Sequence, residues 1–419
     1  MRVDGGTGGR DLPSRTRSES YPGPMPESPD QHEATVEVAD VQRMFVDFAR
    51  SYPELRLYRA ICEAASTDDE VAGLLTAARP GQGRPVLFLA ALHELVLRRP
   101  EVSAARWYPS VTGRSVPAGD PWPDVRETCL DHADELRATI AARATQTNEV
   151  NRVVQLAPLL AQAAADVPDA PVALIEVGAS AGLLLGLDRY RIELTPVGGG
   201  SPVVFGDPDS QVLCAGEQRS GLSLDELRLP TIVERVGLDL DPVGLVDADE
   251  VCWLEACLWP DALGRLERFR AAVALLRDDP PSLVAGDMVD DLEAVAHSAR
   301  AVAQALATGA AAAGGGAPVH LVVFSSWALT YVARERRPLV AEALAALAAD
   351  GRPVSWITAE PPGCVPGIPR PDGDPDDPHE TTSSTVLGAR RWRSGTELPP
   401  ARWGTCHPHG ATLDWAPTP

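Results

Sequence analysis

Apolar residues in the first part of the chain recur at helical spacing. Val41, Met44, Phe45 and Phe48 form one stripe, Ile61, Ala64 and Ala65 another, and Val86–Leu97 a denser run. Recurrence at i, i+3 and i+4 marks a helix with one buried face. Pro53, Pro80, Pro85, Pro100 and the Pro117–Pro123 stretch punctuate the pattern, and no two-residue period appears. The spacing predicts a helical region over residues 37–165. After Pro171 the period changes. Short apolar runs at Val172–Val177, Val236–Leu240, Leu283–Ala285, Val319–Phe324 and Val354–Thr358 alternate with longer stretches rich in Ala, Leu and Arg. That alternation predicts a mostly parallel sheet with crossover helices over residues 166–419. Thr385–Leu387 and Thr412–Trp415 read as a closing antiparallel pair, and residues 195–232 as an insertion with its own hairpin. Gly/Pro-rich gaps at 308–318 and 361–384 read as surface loops. Residues 1–36, rich in Gly, Ser, Pro and charge, are expected to be a disordered tail.

The strongest local signal is a five-residue apolar strand running through Glu176 and Val177 into Gly178-Ala179-Ser180-Ala181-Gly182 and then an apolar helix. Three readings share this shape. Glycines let the backbone approach a nucleotide cofactor, with helix N–H groups facing it. The same letters match the Gly-x-Ser-x-Gly nucleophile elbow, with Ser180 as nucleophile and His407 or His409 as the late base. The third reading is a tight turn that binds nothing, as in a non-catalytic Rossmann-like binding protein. Context favours the first. An elbow follows earlier strands and an oxyanion loop, yet the preceding 130 or so residues look helical and lack His-Gly-Gly. Position 180 is serine where a dinucleotide fingerprint needs glycine. An acid two residues before the first glycine, here Glu176, suits an S-adenosylmethionine site.

Later strand ends carry polar residues in a matching order. Asp239 or Asp241 ends the second strand and would hold ribose, with Glu193 in Arg191–Leu194 as a competitor. Asp287 follows the third strand and would meet adenine, Ser325 and Trp327 end the fourth beside the transferred group, and Glu360 ends the fifth. Ligands of such sheets sit beyond the carboxyl ends of the strands. A second cluster precedes the sheet. The only two asparagines of the chain stand in Thr145-Gln146-Thr147-Asn148-Glu149-Val150-Asn151-Arg152. Gln146, Asn148 and Arg152 are candidates for a pocket wall. The alternative is a helix start capped by Thr147 or Asn148 with Glu149 in the first turn. Asp188, Arg189 and Tyr190 are further pocket candidates, or an ion pair beside a packed ring. Trp259-Pro260-Asp261 reads as a helix start.

Composition narrows the chemistry. All 37 basic residues are arginine, against 59 acidic ones, for a formal charge of −22. Without lysine there is no Schiff base, P-loop lysine, Tyr/Lys dehydrogenase pair or Ser/Lys hydrolase. The negative balance repels phosphate backbones, and Arg334–Arg337 and Arg390–Arg393 read as solvated faces, so no nucleic-acid partner is expected. Seven cysteines include no Cys-x-x-Cys, and His407-Pro408-His409 lacks partners at metal spacing, so neither a metal nor a disulfide framework is expected. No apolar run reaches the roughly 18 residues of a membrane span and the first residues hold no signal core, which points to a cytoplasmic protein.

Together these residues resemble an uncharacterised bacterial family common in actinobacteria, domain of unknown function 2332. The resemblance rests on Thr145–Arg152, Leu174–Gly182, Leu187–Tyr190 and Gly237–Val243, with Trp259–Asp261, Gly286-Asp287 and His409-Gly410. It spans residues 40–418, departs at Asn151, where that segment tends to carry glycine, and implies a shared fold but no reaction. The sequence thus predicts an α/β protein with a Rossmann-like, methyltransferase-type sheet, an antiparallel closing strand and an N-terminal helical region. Glu176, Gly178, Ala179, Ser180, Gly182, Asp239, Asp241, Asp287 and Ser325 would hold S-adenosylmethionine, and the helical region with the 195–232 insertion would form the pocket for a small-molecule acceptor. Methyl transfer requires mainly positioning, and Glu149, Glu360 and His409 are the candidate bases.

Overall fold

The computed structural model describes residues 37–113, 116–220, 223–310, 318–371 and 384–417. The expected tail, residues 1–36, lies outside them. Helices Val38–Ser51, Arg56–Ala65 and Pro85–Arg98 follow the apolar stripes, and Trp122–Asp131 and Ala133–Ala142 extend the helical region. Val41, Phe45 and Phe48 turn one face of the first helix into a core shared with Ile61, Phe88 and Trp107. Pro85 sits in a first turn, where its missing N–H costs nothing.

The expected boundary at residue 165 moves. The helix Val153–Ala164 is buried at every position but Gln162, and its apolar side chains join the core under the sheet. A helix that is apolar all round has no solvent face to offer and must sit inside. Conversely Trp253, Trp259 and Ala262, far along the chain, pack into the helical core. Trp259 therefore anchors a turn, and the next helix starts only at Leu263.

The strands are β1 (Val172–Val177), β2 (Arg191–Pro196), β3 (Val203–Gly206), β4 (Leu213–Gln218), β5 (Ile232–Asp239), β6 (Ser282–Ala285), β7 (His320–Ser326), β8 (Val354–Glu360), β9 (Thr385–Arg393), β10 (Thr396–Glu397), β11 (Ala401–Cys406) and β12 (Thr412–Trp415). They form one mixed sheet in the order β3-β2-β4-β12-β11-β9-β8-β7-β1-β5-β6, with β10 paired to β9. The five strands at one end of the sheet, β6, β5, β1, β7 and β8, are all parallel, with β6 at the edge. Each of the five expected apolar runs falls on one of them. In chain order these strands stand third, second, first, fourth, fifth across the sheet, so the order reverses between β1 and β7. β1 is buried on both faces. Val172 and Leu174 meet the side of the Val153–Ala164 helix, while Ala173, Ile175 and Val177 share a core with the helices Leu292–Ala310 and Arg337–Ala348. Double burial explains a run that is apolar but for Glu176.

Three expectations differ. Thr385–Leu387 and Thr412–Trp415 are strands but do not pair; β11 lies between β9 and β12 and is antiparallel to both. A register shift between Arg402 and Gly404 disrupts the alternation that would have marked β11 in the sequence. Residues 195–232 build no separate hairpin domain. β3 pairs with β2, and β4 pairs parallel with both β2 and β12, which extends the same sheet. The helix expected after Gly182 is a short 3-10 segment, Leu183–Arg189, leading directly into β2. Gly186 there has no room for a side chain, because a Cβ would lie 2.8 Å from Tyr190 Oη and 2.9 Å from Leu276.

Candidate functional site

A cavity of about 460 Å³ opens across the carboxyl ends of β1, β5, β6 and β7. It therefore straddles the point where the strand order reverses, the place where open α/β sheets bind ligands. Its volume falls in the range of small-molecule pockets, about 300–1,000 Å³. Gly178 and Ser180 line it from β1, Leu238, Asp239 and Leu240 from β5, Gly286, Asp287 and Met288 from β6, and Ser326, Trp327 and Ala328 from β7. Thr145–Thr147, Arg152, Pro408 and His409 close one side, and Tyr331–Ala333 with Arg336 another.

The turn after β1 is built from three left-handed residues, Gly178 (φ +74°), Ser180 (φ +49°) and Gly182 (φ +68°). A Cβ at Gly178 would lie 2.6 Å from Ala328 Cβ, and one at Gly182 would lie 2.8 Å from Pro281. Glycine is required there by conformation and by space. Gly178 and Ala179 donate to Leu238 O, Ser180 N–H to Asp239 Oδ2 (2.8 Å), and Gly182 N–H to Ala179 O. These four donors, which a phosphate would seek, are thus engaged within the protein, and no α-helix starts here to add its dipole. Ser180 Oγ donates to Gln146 Oε1 and accepts from Asn148 Nδ2 (3.3 Å). Its partners are amides, so the serine lacks the nucleophile-to-base hydrogen bond of a hydrolase.

Asp239 lines the cavity, but both its oxygens serve the backbone, Oδ2 to Ser180 and Oδ1 to Asp241 N–H (2.9 Å). Asp241 is exposed and does not line the cavity. Glu193, the competitor, lies on β2 near the opposite edge of the sheet and pairs with Arg191 at 2.5 Å. Asp287 accepts from the Val289 and Asp290 N–H groups, with Arg336 at 3.4 Å. Burial pushes its carboxyl upward, but those hydrogen bonds and the Arg336 charge outweigh it and hold the group below the usual carboxylate range. Arg336 belongs to the run expected to be a solvated face, yet it lines the cavity.

Glu176 is 3% exposed and lies below the turn. Burial, reinforced by the charge of Asp239 and opposed by Arg152, pushes its carboxyl well above the usual range. Its Oε2 is buried without a hydrogen-bond partner among the described residues. Glu360, at the end of β8, accepts from Ala328 N–H (3.1 Å) and Leu329 N–H (3.3 Å), and burial pushes it up to about 7 against those bonds. These bonds hold the turn in which Trp327 adopts φ +58°. A bulky residue there is a true outlier, and such strain concentrates at ligand sites. Trp327 Nε1 donates to Thr385 Oγ1 at 2.8 Å.

Of the candidate bases, only His409 lines the cavity. Burial, then the nearby Arg265 and Arg152 charges, lowers its affinity for a proton well below that of an ordinary histidine. Glu149 is a structural cap: it accepts from Asn151 N–H and pairs with Arg265 at 2.5 Å. Asn151 joins β4 to the β11–β12 turn through Ala215 and His409 O. Of the polar cluster, Gln146 and Arg152 line the cavity while Asn148 does not, and the cap is Glu149 itself rather than the expected Thr147 or Asn148.

Other candidates lie elsewhere. Asp188 pairs with Arg235 at 2.5 Å, Arg189 with Asp279, and Tyr190 Oη donates to Leu183 O, all away from the cavity. Ala179 and Gly182 shape the turn, and Ser325 is buried behind it; none of the three lines the cavity. Residues 195–232 do not line it either, because they sit at the far side of the sheet. Among the described residues no cluster of three or more His, Cys, Asp or Glu could hold a metal, and no helix is long and apolar enough to cross a membrane.

The chain belongs to a bacterial family, described as uncharacterized protein conserved in bacteria (DUF2332), whose pattern matches residues 42–415. No curated protein matches it significantly.

Proposed function

We propose that the cavity binds S-adenosylmethionine and that the protein methylates a small molecule on a Rossmann-like sheet of the methyltransferase type. The observation that carries this reading is the β1 turn. The N–H groups of Gly178, Ala179, Ser180 and Gly182 are committed to Leu238, Asp239 and Ala179, which suits a cofactor without phosphate and is poor for a dinucleotide. The strand order and the antiparallel β9 beside β8 agree with it. So does the buried Glu176 Oε2, a polar atom beneath the turn with no hydrogen-bond partner among the described residues.

Asp239 and Asp287 would hold the nucleoside end over β5 and β6, with Gly178 allowing close approach. When bound, the cofactor supplies a methyl group on a cationic sulfur; the C–S bond breaks with its electron pair left on sulfur as the acceptor bonds to the carbon. The protein's share is orientation and exclusion of water, which Trp327, Ala328 and the Thr145–Thr147 segment supply at the β7 end. His409 is the one candidate base at the cavity, and burial beside Arg265 and Arg152 keeps it a weak one.

Calorimetric titration with S-adenosylmethionine and S-adenosylhomocysteine tests the reading. Binding in the micromolar range is expected, and absence of heat at high micromolar ligand sinks it. Labelling of Ser180 by a fluorophosphonate would favour a hydrolase instead.

A further inference from the structure

Arg152 precedes the buried helix of the sheet core and is itself 8% exposed, yet its side chain lines the cavity. Two of its nitrogens are spent on carbonyls: Nε donates to Pro408 O (3.2 Å) and Nη1 to Ser326 O (3.1 Å). Nη2 has no hydrogen-bond partner among the described residues, and no carboxylate lies within ion-pairing distance of the guanidinium. Every other guanidinium buried to a comparable depth would be expected to find an anion, because an unpaired buried charge is costly. Two carbonyls fix the plane of the fork and leave one edge for a ligand. Carboxylate is the group that this planar edge fits best.

The position decides which carboxylate. Arg152 is tied to the end of β7 through Ser326, whereas Asp287 follows β6. The order β6-β5-β1-β7 puts three strand spacings between them, about 14 Å. An extended S-adenosylmethionine has its base at one end and its amino-acid carboxylate at the other, over a comparable span. We infer that Arg152 is the carboxylate subsite of the cavity and holds the amino-acid end of S-adenosylmethionine; this rests on the function proposed above. Gln146 and the β1 turn then border the sulfur between the two ends, and the acceptor approaches from the Trp327 side.

The test compares S-adenosylmethionine with its decarboxylated form, which differs only by that carboxylate, by calorimetry on the full chain. The wild type is expected to prefer the carboxylate by about 10- to 100-fold. Arg152→Gln is expected to lose that factor for S-adenosylmethionine while binding the decarboxylated form as before, which also reports an intact fold. A preference that survives in Arg152→Gln overturns the inference. So does equal affinity of the wild type for both, the result expected if Arg152 serves an acceptor's carboxylate. Those two outcomes leave cofactor binding standing, whereas a wild type that binds neither form ends both readings. Should Arg152→Gln fail to fold, Arg152→Lys keeps a cation without the fork. A several-fold loss confined to S-adenosylmethionine then supports the subsite, and an equal change for both ligands overturns it.

Discussion

The Ser180 N–H donates to Asp239 Oδ2 at 2.8 Å and thereby ties the turn after β1 to the end of the neighbouring strand β5. The other oxygen of Asp239 takes the Asp241 N–H at 2.9 Å, so one carboxylate organises two turns beside the same cavity. Asp239→Ala leaves both donors without their acceptor. A cost of about 1–3 kcal/mol is expected in urea unfolding. Affinity for S-adenosylhomocysteine should fall at least about tenfold, because the left-handed Ser180 loses its anchor. Unchanged affinity would show that the turn does not depend on this bond.

Gly178 gives a sharper test of the same turn. A methyl group there meets Ala328 Cβ at 2.6 Å, and the backbone is at φ +74°. The left-handed conformation alone costs an alanine roughly 1 kcal/mol. Gly178→Ala is expected to fold with a lowered melting temperature and to lose ligand binding as the Trp327–Ala328 turn is displaced. Adding Ala328→Gly removes the atom struck and should restore part of the affinity. A double variant no better than the single one would place the defect in backbone strain alone.

The two turns also show how far the sequence could be read. Three of the parallel strands, β1, β7 and β8, are buried on both faces, and that burial writes their nearly continuous apolar runs. Gly178 and Gly182 are visible because nothing else tolerates those angles and contacts. Trp327 is different. Its left-handed conformation is enforced by Thr385, Ala359 and Glu360, partners that only the fold brings together, so no local residue pattern discloses it. Arg336 is hidden for the same reason, since a run of charge looks alike whether it faces water or Asp287. The Val153–Ala164 helix is contiguous with the helical region in sequence, yet its apolar side chains pack with the sheet, a placement that sequence order does not disclose.

Trp327 and Thr385 lend themselves to a double-mutant cycle. Holding a bulky residue at φ +58° costs roughly 1–3 kcal/mol, and the Nε1 to Oγ1 bond at 2.8 Å helps to offset it. Thr385→Val buries the indole N–H without an acceptor and should destabilise by about 1–3 kcal/mol. Trp327→Phe removes the donor together with part of the ring. The double variant is expected to cost less than the two singles added, with a coupling of at least about 0.5 kcal/mol in thermal or urea unfolding. Strict additivity would mean that the bond does not hold the turn.

Glu360 predicts a pH dependence. Burial raises its carboxyl from an ordinary 4.5 to about 7, despite the Ala328 and Leu329 N–H groups and the Arg152 charge, which oppose it. Below about 4.5 the acid is protonated whether the chain is folded or not. Between there and about 7 the folded protein keeps the proton and the unfolded chain has lost it, so stability must fall as pH rises. At about 1.4 kcal/mol per pH unit the interval is worth at most roughly 3 kcal/mol. Glu360→Gln keeps an oxygen for both N–H groups and mimics the protonated acid at every pH. Urea unfolding between pH 5 and 8 should therefore show the variant gaining on the wild type as pH rises and levelling above about 7. Parallel curves for the two proteins would assign the wild-type slope to other groups.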